Sequence, residues 1–221
     1  MKFLIAIILS LFHAGFFSIT HADDLEKALR SLKQKDFDSA KQLIDQAIGR
    51  NSFDPGAYYV LSIYYSDPDN RPHDYFKAYD YLILAEKYYS TLTTREANQL
   101  QKLGITPMEI QRQKKQIGLH AVQQAIQAKD LAAADRVIAR FATLPDVVQK
   151  ATEFKHEAAF DEANRANTYQ AFQNFFVKYP QAKQAEEARE KYEQLLFKSL
   201  TADNNWQAYE NFYKNYPQSP Y

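Results

Sequence analysis

Catalytic or metal chemistry needs converging groups, and the side chains that could supply them are scattered along this chain. His73, His120 and His156 are the histidines downstream of residue 22, and no His-Glu-x-x-His spacing places two of them on one helix face. They read as solvated or capping groups, without a local scaffold for zinc. The absence of cysteine removes disulfides, thiolate metal sites, iron–sulfur clusters and a cysteine nucleophile. Five scattered glycines, with no Gly-x-Ser-x-Gly run, offer neither a phosphate-cradling loop nor a nucleophile elbow. Acidic pairs such as Glu186-Glu187 belong to charge-rich helical faces and not to a general acid and base couple. No catalytic residue, metal or cofactor is expected.

What remains is the surface chemistry of aromatic side chains. Nine of the 16 tyrosines lie between Tyr58 and Tyr89, together with Phe76. Two readings stand. Tyrosine rings fill helical cores while their hydroxyls stay in water, or part of the set lines a peptide groove, because tyrosine combines rigid contact area with a polar handle. Lys plus Arg and Asp plus Glu number 27 each. No surplus of cations is present to displace counterions from phosphates, so nucleic acid is not the expected partner.

The elements that must position these rings are helices. Leu25, Ala28, Leu29 and Leu32 recur at i, i+3, i+4, i+7, and Ala40, Leu43, Ile44, Ala47 and Ile48 repeat the stripe. The pattern returns as Tyr75, Ala78, Tyr79, Leu82 and Ala85, as Ala134, Val137, Ile138 and Phe141, and as Ala185, Ala188, Tyr192 and Leu195. No sustained alternating run suggests a strand, so the expected class is all-α. Lys35-Asp36-Phe37-Asp38 supplies a turn between the first two stripes. Thr93-Thr94-Arg95-Glu96 and Thr106-Pro107-Met108-Glu109 have the composition of helix starts, and Gly104 that of a left-handed stop. All eight prolines fall at or between the expected helix ends.

Residues 1–22 have the composition of a secretory signal. Met1-Lys2 precedes the apolar run Phe3 to Leu11, and Thr20-His21-Ala22 places small residues before a candidate cut ahead of Asp23-Asp24. The apolar run is short for a membrane span. The expectation is an exported, periplasmic or secreted chain with no transmembrane anchor after cleavage. Its lack of disulfides suits a bacterial periplasm.

Internal repetition then sets the architecture. Residues 167–181 align without a gap on residues 204–218, a period of 37. Lys35-Asp36-Phe37-Asp38-Ser39-Ala40 matches Lys129-Asp130-Leu131-Ala132-Ala133-Ala134. Periods in the thirties built from two helices mean stacked hairpins, each burying a face that its neighbour covers. The expected division is hairpins over residues 23–103 and further hairpins over residues 104–221, the last repeat being incomplete. Either the final helix is a half-repeat cap, or this is the front part of a longer protein. A missing partner helix would leave Trp206, Tyr209, Phe212 and Tyr213 partly uncovered.

Asp36-Phe37-Asp38-Ser39-Ala40 with Ala47, Pro55, Leu61 and Tyr65 resembles the tetratricopeptide repeat. The stretch from Ala57 to Ala85, interrupted by Ser66-Asp67-Pro68-Asp69-Asn70-Arg71-Pro72, is similar to its longer Sel1-like variant. Phe175-Phe176-Val177-Lys178-Tyr179-Pro180 followed by Ala185 and Ala188 resembles repeats of bacterial envelope proteins, among them outer-membrane assembly lipoproteins and cell-division coordinators. The resemblance implies a right-handed superhelix of antiparallel hairpins whose first helices line a concave, peptide-binding wall. Carried onto this chain, it points to Tyr59 and Ile63, and to Gln116 and Gln123. The implied role is a non-enzymatic scaffold for a protein or peptide partner in the cell envelope. Two alternatives stand beside it: the targeting module of a longer envelope protein, peptidoglycan-anchored or carrying a propeller, and the helical part of a cell-wall lytic enzyme.

Overall fold

A computed structural model describes residues 20–221. The expected signal segment lies outside the described residues up to position 19, and the first helix runs through the candidate cut. All regular structure among the described residues is helical. The helices are α1 (Thr20–Lys33), α2 (Phe37–Arg50), α3 (Pro55–Ser66), α4 (Tyr75–Tyr89), α5 (Thr94–Lys102), α6 (Pro107–Ala128), α7 (Leu131–Arg140), α8 (Pro145–Ala166), α9 (Tyr169–Lys178), α10 (Ala185–Leu200) and α11 (Trp206–Asn215). No described helix is long and apolar enough to cross a membrane.

The helix boundaries follow from side-chain chemistry. Pro55, Pro107 and Pro145 each open a helix, where a missing amide costs nothing. Thr93 and Glu96 satisfy each other's backbone amides as a capping box. Gly104 takes φ +77°, the left-handed stop expected after α5. Thr106 accepts from the Glu109 amide at 3.1 Å.

Four turns share one construction that residue types alone do not reveal. Lys35, Lys129, Asn167 and Asn204 are the described non-glycine residues with positive φ, between 47° and 60°. Each stands directly before an N-cap: Asp36, Asp130, Thr168 and Asn205. In every case the cap side chain accepts from the amide three residues on, those of Ser39, Ala133, Ala171 and Ala208. One left-handed residue reverses the chain and the next begins the new helix. Between α1 and α2 the turn is confined to positions 34–36, with Phe37 and Asp38 already helical.

The chain divides into two compact units, the first ending at Gln111 and the second being Arg112–Tyr221. In the first, α1 packs on α2, α2 on α3 and α3 on α4, and α1 also reaches α3. Gly56, in the first turn of α3, sits where a β-carbon would stand 2.5 Å from Leu25 Cδ1 of α1 and 2.8 Å from Leu100 Cδ2 of α5. A bare α-carbon is what lets these three helices meet. Leu25, Ala28, Ala40, Ile44, Ala57, Val60, Ala78 and Leu82 form the buried interior around that contact.

In the second unit α7 packs on α8, α8 on α9, α9 on α10 and α10 on α11. Phe160 of α8 lies 6.2 Å from Phe172 and 5.2 Å from Phe175 of α9, between ring centroids. Thirty-seven residues on, Phe197 of α10 repeats this with Tyr209 at 6.2 Å and Phe212 at 5.1 Å on α11. The period seen in the sequence is a period of packing.

Candidate protein-interaction surface

The tyrosine-rich segment forms a continuous run of rings within the first unit. Asp54 and Asp74 cap α3 and α4, each accepting two backbone amides, and the paired helices bring their aromatic edges together. Tyr58 stacks on Tyr81 at 6.2 Å, and Tyr81 on Tyr65 at 5.4 Å. Tyr88 adds to Tyr58 at 5.7 Å and Phe53 to Tyr88 at 5.3 Å, while Tyr65 meets Tyr64 edge-on at 5.2 Å. Tyr58, Tyr65, Tyr81 and Tyr88 are half-buried. Burial, and after it the neighbouring hydroxyls, pushes the Tyr58 and Tyr81 phenols above their usual range, so both remain neutral donors at ordinary pH. The Lys77 ammonium lies 5.5 Å from the Tyr65 ring centroid. These rings fill the seam between α3 and α4 and leave their edges at the surface.

Tyr59 and Ile63 occupy a different side of α3. Tyr59 is buried, and its hydroxyl donates to Glu109 Oε1 at 3.1 Å. Ile63, one turn on, is half-buried. The Glu109 contact is one that residue spacing did not foretell, since fifty positions separate the partners. A carboxylate three residues after a capping threonine reads as a capping group, and nothing local marks it as a tyrosine's acceptor. Met108 beside it is 81% exposed.

Gln116 and Gln123 belong to the second unit. Both are exposed on α6, seven residues apart and on one stripe with His120 and Gln127. The opposite side of the helix buries Ile117, Ala121, Val122 and Ala125. A row of primary amides offers donors and acceptors together, the complement of an extended peptide backbone. The structure therefore groups the four residues as two pairs, each within its own unit.

The three histidines occupy separate surroundings. His73 meets the Tyr75 ring edge-on at 5.7 Å, His120 is exposed, and His156 lies 4.9 Å from the Tyr179 ring. Burial, then the Lys155 charge, lowers the His156 pKa. Among the described residues no three His, Asp or Glu side chains converge as metal ligands would.

No family model, curated protein or solved structure matches the chain.

Proposed function

We propose that the chain is a non-enzymatic scaffold of the bacterial cell envelope, built as a tetratricopeptide-like, Sel1-like array. It would hold a peptide segment or an envelope subunit against the wall made by the first helices of its hairpins. The observation that carries this reading is the packing of α1 on α3, with the Leu100 side chain of α5 reaching the same Gly56. These are alternate helices of the chain, and close side-by-side packing of alternate helices is how stacked hairpins generate a wall of first helices. On that wall Ile63 supplies apolar contact and the Tyr59–Glu109 pair a fixed polar edge. Gln116 and Gln123, on α6 of the second unit, supply backbone-pairing amides on that unit's own exposed face. The right-handed superhelix and the periplasmic setting belong to this proposal, the latter resting on the composition of residues 1–22.

A photo-crosslinking amino acid placed singly at Ile63, Gln116 and Gln123, with Asp45 on α2 as an exposed control, tests the assignment in intact envelopes. The expected result is a discrete adduct from Ile63 in the first unit and from Gln116 and Gln123 in the second, and none from position 45. Equal labelling from position 45, or no discrete adduct from any wall position, overturns it.

A further inference from the structure

Helices α3 and α4 turn phenols toward one another along their shared seam. Tyr65 of α3 and Tyr81 of α4 stack there with ring centroids 5.4 Å apart and planes 28° from parallel. Burial raises the Tyr81 pKa, and the Tyr65 oxygen adds to this through charge and hydrogen bonding, so the two phenolic ends lie side by side. In a phenol that has lost an electron and a proton, the unpaired electron is shared by the ring carbons flanking the C–O bond. The stack brings those carbons of the two residues next to each other across the seam. Both rings are half-buried, with edges at the surface.

The neighbouring pairs lack one or other of these properties. Tyr58 stacks on Tyr81 at 6.2 Å, but its hydroxyl donates to the Ser52 carbonyl at 3.0 Å. Tyr64 meets Tyr65 edge-on, with planes 81° apart. The surroundings also favour a neutral radical. The Lys77 ammonium lies 5.5 Å from the Tyr65 ring centroid and opposes a radical cation on that ring, so the phenolic proton leaves with the electron. Tyr88 and Tyr58 extend the run, 5.7 Å apart, and an oxidised ring in such a run can take an electron from the next.

We infer that Tyr65 and Tyr81 are a covalent modification site, at which oxidation joins the two residues as dityrosine and staples α3 to α4. The oxidant is a haem peroxidase working with hydrogen peroxide. Each phenol gives up one electron and one proton, and the two radicals pair through one Cε of each residue to form a single C–C bond. The hydrogens on those two carbons then move to the phenolic oxygens as the rings regain aromaticity. The chain loses two hydrogen atoms, which reduce one peroxide molecule to two waters. This site is independent of the scaffold role proposed above, which uses Tyr59 and Ile63 on another side of α3.

The test treats the full chain, dilute enough to suppress coupling between molecules, with hydrogen peroxide and a haem peroxidase. The expected result is blue dityrosine fluorescence from the monomer, a mass lower by two hydrogens, and a proteolytic peptide pair joined through positions 65 and 81. Tyr65→Phe and Tyr81→Phe keep the rings and remove the phenols. Each is expected to lose the joined pair while its far-ultraviolet dichroism matches that of the unsubstituted chain, and Tyr58→Phe is expected to retain the pair. Absence of dityrosine overturns the site, as does coupling only between molecules or a bridge mapped to other tyrosines. An undiminished yield in Tyr65→Phe or Tyr81→Phe overturns it as well.

Discussion

The side chain of Val147 stands against the bare α-carbon of Gly118. A β-carbon there would lie 2.8 Å from Val147 Cγ2, 3.0 Å from Cγ1 and 3.0 Å from Phe141 Cδ1. Val147 and Phe141 are fully buried, and a β-branched side chain has little torsional freedom with which to retreat. Gly118→Ala gains about 1 kcal/mol of helix propensity and loses about 1–3 kcal/mol to overpacking. The expected net effect is a loss of about 1 kcal/mol, read as a lower denaturant midpoint. Gly49 is the internal control, because a β-carbon there meets nothing within 4 Å. Gly49→Ala should stabilise by about 0.5–1 kcal/mol, read as a higher midpoint. Equal shifts in both variants would show that α6 and α8 are not in contact at this point.

The left-handed residue before each N-cap gives a second prediction. Lys129→Val places a β-branched side chain at φ 52° and should cost about 1–2 kcal/mol. Lys129→Gly should be neutral or slightly stabilising, since freedom gained in the unfolded chain offsets the relief of strain. Asp130→Ala removes the acceptor of the Ala133 amide, bonded at 2.8 Å, and should cost about 1 kcal/mol. Thermal melts of the three variants check the ordering. A valine variant as stable as the glycine variant would contradict this turn geometry.

Acid sensitivity is expected from His156. Its pKa lies below the ordinary imidazole value of about 6.5 because burial disfavours the cation and Lys155 repels it, with Glu153 opposing. The unfolded chain therefore binds a proton first as pH falls. The stabilisation is complete above the unfolded pKa and is lost as pH drops from it toward the folded value. His156→Phe keeps a ring against Tyr179 and should lack this component between pH 7.5 and 5.5. Denaturant midpoints across that range, with the imidazole titration followed by NMR, decide the matter.

Tyr81 lies between Tyr58 and Tyr65, and the alkaline limb tests that arrangement. Tyr81→Ala should cost about 2 kcal/mol, below a fully buried aromatic because the ring edge is exposed. Tyr81→Phe should cost under about 1 kcal/mol, since the ring contacts survive. Burial raises the Tyr58 and Tyr81 pKa values, so their stabilisation is complete below about pH 10 and is lost as pH climbs through the folded values. Ultraviolet titration should resolve these phenols as ionising after the exposed tyrosines.

Helix content was legible because periodicity and capping chemistry are local. The stripe Leu25, Ala28, Leu32 is buried as its spacing implies, and Thr93, Gly104 and Pro107 punctuate the helices where their chemistry requires. The shared turn was less legible. Lys35 and Asn167 have little in common except the cap that follows, and lysine does not advertise a positive φ. The candidate surface was least so. Tyr58 and Tyr59 are neighbours of one type on α3, yet one joins the stack of rings and the other turns inward to Glu109. Which side of a helix faces a distant carboxylate is a property of packing, and adjacent tyrosines carry no local mark of it.

The strong helix pairings described join neighbours in the chain, with α1 and α3 one helix removed. These pairings close short loops as the chain folds, while Tyr59–Glu109 closes a longer one, and topologies of low contact order fold in microseconds to milliseconds. Each hairpin can find its partner soon after leaving the ribosome, without waiting for a distant segment. Gene duplication would add whole packing units at little risk to those already present, and the 37-residue echo from Phe160 to Phe197 has the form of such an event.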